Sequence, residues 1–81
     1  MNKYDLARDP NTPTEILEQL ATDDYWYVRW NVLHNPNIPT KVLEILATDE
    51  HSGVRWNVAR YPNTPRYIKK FIKIQEQLVR L

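Results

Sequence analysis

Apolar residues recur along the chain in stripes of helical period. Ile16, Leu17, Leu20 and Ala21 form one such stripe, and Val42, Leu43, Leu46 and Ala47 repeat it 26 positions later. This spacing returns to the same side of an α-helix every three to four residues, so each stripe predicts a helix with one buried face, the first running from Pro13 to about Thr22. Val28, Val32 and Leu33, matched by Val54, Val58 and Ala59, predict a second helix per unit, over about residues 26–34 and 53–60. From Pro65 onward, Ile68, Phe71, Ile72, Ile74, Leu78 and Leu81 make a wider band, which predicts one longer closing helix. Helices of nine or ten residues are marginal alone, so these must persist by packing on one another.

The stripes belong to a longer repeat. Residues 10–35, PNTPTEILEQLATDDYWYVRWNVLHN, align without a gap to residues 36–61, PNIPTKVLEILATDEHSGVRWNVARY, with 15 identities in 26 positions. The phase extends in both directions: Tyr4, Asp5 and Leu6 precede Pro10 as Trp30, Asn31 and Val32 precede Pro36, and PNTP at 62–65 opens a third unit that departs from the pattern after Ile68. The chain therefore reads as one helical-repeat domain: a half repeat at 1–9, full repeats at 10–35 and 36–61, and a modified half repeat with a cap at 62–81. The expected architecture is an all-α solenoid, in which each unit buries its apolar face on its neighbours.

Proline marks the corners. Pro13, Pro39 and Pro65 suit the first turn of a helix, where no amide hydrogen is needed, and Pro10, Pro36 and Pro62 end the preceding helix. Thr12 and Glu15 form a candidate capping box, whereas Ile38 has no capping oxygen and leaves its unit to Asn37, water or a shifted start. Asp23 or Asp24, and Asp49 or Ser52, are the candidates for opening the second helices. Asn11, Asn37 and Asn63 read as turn residues, and Asn31 and Asn57 as side chains bonded to the following turn or corner.

The repeated core N-P-N-x-P-x-x-h-L-x-x-L-A-x-D-x-x-x-x-V-R-x-x-V, with h apolar, resembles the leucine-rich repeat variant family over about residues 3–68. That resemblance implies a right-handed superhelix of short alternating helices, used as a scaffold, with no catalytic residue carried over. The segments from Asp23 to Arg29 and from Asp49 to Arg55 also resemble the aspartate–arginine ladder of HEAT-like repeats. The unit here is 26 residues where the variant family usually has about 24, and the cysteines that hold an iron–sulfur cluster in its best-known member are absent.

Composition narrows the chemistry. The chain has no cysteine, which excludes disulfides, thiolate nucleophiles and cysteine-bound metal. Gly53 is the sole glycine, so no glycine-rich phosphate loop exists, and His34 and His51 occupy unmatched positions without companion ligands. Neither catalysis nor a cofactor is expected. No apolar run approaches the roughly 20 residues of a membrane span, and MNKYDLARDP lacks a signal-peptide core, so a cytoplasmic protein without membrane contact is expected. Residues 1–53 hold four basic side chains against nine acidic, a net −5, while residues 54–81 hold seven basic against Glu76 alone, a net +6. In an elongated fold that asymmetry is an electrical polarity.

Four sets of residues carry the functional expectations. Asp23, Arg29, Asp49 and Arg55 form a structural ladder, because an arginine beside an inward valine needs a partner. Tyr4, Arg8, Trp30, His34, Trp56 and Arg60 pair an aromatic with a basic side chain four residues on, suited either to inter-repeat packing or to a binding face. Tyr25, Trp26 and Tyr27 occur in the first unit only and are candidates for a partner or dimer contact. Arg66, Lys69, Lys70 and Lys73 form a basic stripe that can be solvated, meet phosphates, or meet the acidic part of another copy. The leading expectation is a non-catalytic scaffold for a protein partner or for self-association; the alternative is a nucleic-acid-binding helical repeat.

Overall fold

The computed structural model describes residues 1–79, and these are all-helical. In chain order the helices are α1 (Lys3–Arg8), α2 (Thr14–Leu20), α3 (Trp26–Val32), α4 (Thr40–Leu46), α5 (Ser52–Arg60) and α6 (Arg66–Val79). The first helix packs on α3, and α3 on α5; α2 packs on α4, and cross-contacts join α1 to α2, α2 to α3, α4 to α5 and α5 to α6. The result is elongated, 43 × 24 × 17 Å.

The core is the predicted set of stripes brought together. Leu17, Leu20 and Ala21 of the first stripe, Val42, Leu43, Leu46 and Ala47 of the second, and Val28, Val32, Leu33, Val54 and Val58 are all buried, while Ile16 and Ala59 are partly covered. Short helices with such faces gain about 1.5–3 kcal/mol for each fully buried aliphatic side chain, which offsets their weak intrinsic stability. The closing helix departs from expectation. Ile68 and Ile72 are buried, but Phe71, Ile74 and Leu78 are exposed, because α6 is covered on one side only. Leu81 lies outside the described residues.

At the corners the threonine acts backwards. Thr12 does not cap α2: its hydroxyl donates to the carbonyl of Leu6 at 2.6 Å, and Thr64 donates to Val58 at 2.7 Å, each adding a short bond to a last-turn carbonyl that otherwise has only a longer backbone bond, from Asp9 and Tyr61. The helices then begin one residue after the prolines, with Pro13 and Pro39 in extended conformation and no side-chain cap. Ile38 stands in the threonine position and packs against the core instead. Likewise Asp23 and Asp49 do not cap the second helices; each carboxylate accepts a backbone amide two residues on, from Tyr25 at 3.0 Å and His51 at 2.8 Å. At α5 the cap is the His51 ring, whose Nδ1 accepts the Gly53 amide at 3.1 Å. A Cβ on Gly53 would lie 2.9 Å from that ring, so a side chain there would push the ring from its capping position.

Candidate functional site

Three hydrogen-bonded ladders link the helices and corners, the Arg29 and Asn35 rungs buried and the Lys3, Lys41 and Tyr67 rungs exposed. In the first, a cation reaches 20 residues forward: Lys3 Nζ to Asp23 at 2.7 Å, and Arg29 to Asp49 through Nε at 2.6 Å and Nη2 at 3.0 Å. Arg29 and Arg55 each also donate Nη1 to the carbonyl of the aspartate six residues back, both at 2.6 Å. The Asp–Arg pairing therefore runs through side chains between repeats and through backbone within them. At the last rung Gln75 stands where an aspartate would fall, and Arg55 turns to Glu76 at 3.4 Å.

The charges respond to this geometry. The Lys3 ammonium, hydrogen-bonded to the Asp23 carboxylate, holds that carboxylate below its ordinary range, and the Tyr25 amide adds to the effect; Lys3 is raised in turn. The bond to Asp49 likewise raises Arg29. Because Arg29 and the Asp49 side chain are almost fully buried, removing either member would strand the other.

The second ladder runs 23 residues between even-numbered helices, from Lys41 to Glu18 at 3.0 Å and from the Tyr67 hydroxyl to Glu44 at 2.8 Å. Accepting from Lys41, Glu18 raises that lysine, and the bond to Glu44 helps the Tyr67 phenol keep its proton. The third lies at the corners. Asn35, 1% exposed, donates to the carbonyls of Ala7 at 2.9 Å and Asp9 at 2.8 Å and accepts from the Asn37 amide, while Asn37 reaches Pro10 and Tyr61 leans on the Asn35 carbonyl. Sequence pattern missed Asn35, since Asp9 and Tyr61 replace it in the other units. Asn31 and Asn57 bond the preceding turn of their own helices, at Tyr27 and Gly53, rather than the following corner. Among the described residues no buried side-chain polar atom lacks a partner, so these groups are occupied with structure.

The aromatic residues divide. Trp30 is half-buried, stacked on Tyr27 with centroids 5.6 Å apart and in contact with His34 at 4.2 Å, and Tyr27 in turn meets Tyr4. Trp26 stacks on His51 at 4.6 Å, so the Tyr25–Trp26–Tyr27 cluster packs towards the units on both sides while retaining exposed edges. Trp56, the equivalent of Trp30, is 58% exposed and carries the Arg60 guanidinium 4.7 Å above its ring. Arg8 is exposed at the end of α1.

The fold brings together two sets that the sequence kept apart. A groove of ≈ 320 Å³ between α5 and α6 is lined by Trp56, Ala59, Ile72, Lys69, Lys73 and Glu76. Shifting these positions by 26 gives Trp30, Leu33, Leu46, Leu43 and Ala47 for the first five, residues of α3, α4 and the turns that follow them, against which α5 is seated. Thus five lining positions are the counterparts of an inner helix seat, with an apolar floor but with lysines in place of Leu43 and Ala47, and the longer α6 adds Glu76 and Gln77 to the wall. Lys70 and Arg66 continue the basic surface on α6.

Compared with models of known families, with curated proteins and with solved structures, the chain gives no match.

Proposed function

We propose that this chain is a non-catalytic helical scaffold, a short solenoid of 26-residue repeats that works by binding a protein at its α5–α6 face. The observation that carries the reading is the groove beneath Trp56. An exposed tryptophan under an arginine, over an apolar floor of Ala59 and Ile72, brings together two of the residue types that anchor protein interfaces, and Lys69 and Lys73 beside it add positive charge. The in-phase hydrogen-bond ladders and the resemblance to leucine-rich repeat variant and HEAT-like sequences support the solenoid reading. Affinity capture with the native chain and with Trp56→Ala tests it. A protein retained by the first and lost by the second is the expected result, and identical profiles would count against the site.

A second reading rests on the same groove. Trp56 can stack a base while Arg60, Lys69, Lys70 and Lys73 meet phosphates, as in proteins that grip single-stranded nucleic acid. Four or so phosphate contacts give weak binding that falls steeply with salt, so fluorescence anisotropy with a labelled single strand at about 50 mM salt decides it. No rise in anisotropy sets the reading aside.

A further inference from the structure

We infer that the α5–α6 face receives the α1–α2 face of a second copy of this chain, head to tail, an inference that rests on the assembly reading and names its partner. The two faces depart from the repeat in opposite senses at positions that meet between neighbouring units. On α6, Lys69, Lys70 and Lys73 replace Leu43, Glu44 and Ala47. Near the other end, Asp5, Asp9 and Glu15 stand where the next unit has Asn31, Asn35 and Lys41. Asp5 and Glu15 are exposed, as are Lys70 and Lys73. One face gains basic side chains where inner units are apolar or acidic, and the other gains acidic ones where they are neutral or basic, while Glu76 in the groove and Arg8 on α1 keep the signs of their counterparts Glu50 and Arg60.

The 23-residue ladder supplies the register. Glu18 faces Lys41 and Glu44 faces Tyr67, so the position held by Glu18 and Glu44 points to the following unit and the position held by Lys41 and Tyr67 points back. Lys70 holds the forward position on α6, and Glu15 holds the backward position on α2. A second copy stacked in phase sets its Glu15 against Lys70, restoring the pair with its charges exchanged. In the same pose its α1 enters the α5–α6 groove, with Asp5 toward Trp56 and Arg60 as Asn57 lies toward Trp30 and His34. Lys69 and Lys73 replace close-packed Leu and Ala, which weakens the contact relative to an inner junction. Their stems can lie along the apolar floor while the ammonium groups reach the acidic face. A head-to-tail contact is heterologous, so it propagates as an open array unless its rotation closes a ring, and exposed charge pairing makes it salt-sensitive.

Light scattering on the purified chain, with nothing else present, tests this. The mass is expected to rise above the 9.7 kDa monomer with concentration at about 50 mM salt and to fall back at about 500 mM. Two charge-reversed proteins, Lys69→Glu/Lys70→Glu/Lys73→Glu and Asp5→Lys/Glu15→Lys, are each expected to be monomeric with native circular dichroism. Their equimolar mixture is expected to associate again, which a merely misfolded variant cannot do. Should the reversed triple or double variant fail to fold, Lys70→Glu and Glu15→Lys alone, separate and mixed, give the same comparison. A native chain that stays at 9.7 kDa in low salt, or one that associates equally well with either face reversed, overturns the inference. A monomer that still retains a Trp56-dependent protein partner removes this inference and leaves the assembly reading in place.

Discussion

Arg29 holds Asp49 of the following repeat with two nitrogens, at 2.6 and 3.0 Å, and fixes the Asp23 carbonyl of its own repeat with a third. One side chain thus ties a helix start, the corner before it and the next corner along. Arg29→Ala leaves Asp49 buried without its cation, at a cost of about 3–5 kcal/mol. That is a large part of the roughly 5–15 kcal/mol that stabilises a typical domain, so the variant should be partly unfolded at 25 °C in a urea titration. Lys3→Ala, at the exposed first rung, should leave the midpoint close to native. Equal effects at the two rungs would show that burial does not set their weight.

Asn35 is the corresponding tie at the corners. Asn35→Ala removes both donors from the Ala7 and Asp9 carbonyls and should cost about 1–3 kcal/mol, read as a lower urea midpoint with an unchanged slope. Asn63→Ala, at an exposed turn, should be nearly neutral in the same experiment.

Acid should loosen the first rung. The folded Asp23 carboxyl titrates below its ordinary value of 3.8, so its contribution to stability is complete above that value and is lost as pH falls through the lowered one. Lys3→Met should move the Asp23 titration back toward 3.8, leaving the Tyr25 amide and the nearby Arg29 charge to depress it. Carboxyl carbon NMR follows this directly, and an unmoved Asp23 would remove Lys3 as the cause.

Trp30 and Trp56 should separate stability from binding. Trp30→Ala opens the stack with Tyr27 and should cost about 1–3 kcal/mol. Trp56→Ala loses the Arg60 contact and a ring that is mostly in water already, and should cost under about 1 kcal/mol. Thermal unfolding monitored by circular dichroism checks both, and the reverse ranking would contradict their assigned environments.

Much of the helical content was legible because the code is printed twice. Leu17 and Leu43, Val32 and Val58, and the Asp–Arg spacing recur at 26 residues, and recurrence identifies scaffold positions without any structure. The direction of the Arg29 bond was not legible, since an aspartate lies six residues before it and another 20 after; only packing between repeats decides. Asn35 occurs once, so repetition gave it no weight, although a lone asparagine before Pro36 at a helix end was a signal. Trp30 and Trp56 are the same letter in the same phase, yet one is half-buried against Tyr27 and His34 and the other is open, a difference set by the neighbours that each helix meets. The breadth of the α6 band misled for a related reason: one covered side buries Ile68 and Ile72 and leaves Phe71, Ile74 and Leu78 in water. Nor could sequence spacing join Trp56 to Lys69 and Lys73, because their meeting requires α6 to fold back along α5.

The central claim is that the Trp56 groove binds protein, and a photo-crosslinking amino acid in place of Trp56 tests it most directly. Irradiation in a lysate, followed by nuclease and protease treatment of the adducts, should yield a protein adduct that is absent when the same group replaces exposed Thr40 on the inner helix α4. An adduct sensitive to nuclease alone, or one formed equally at both positions, would contradict the account.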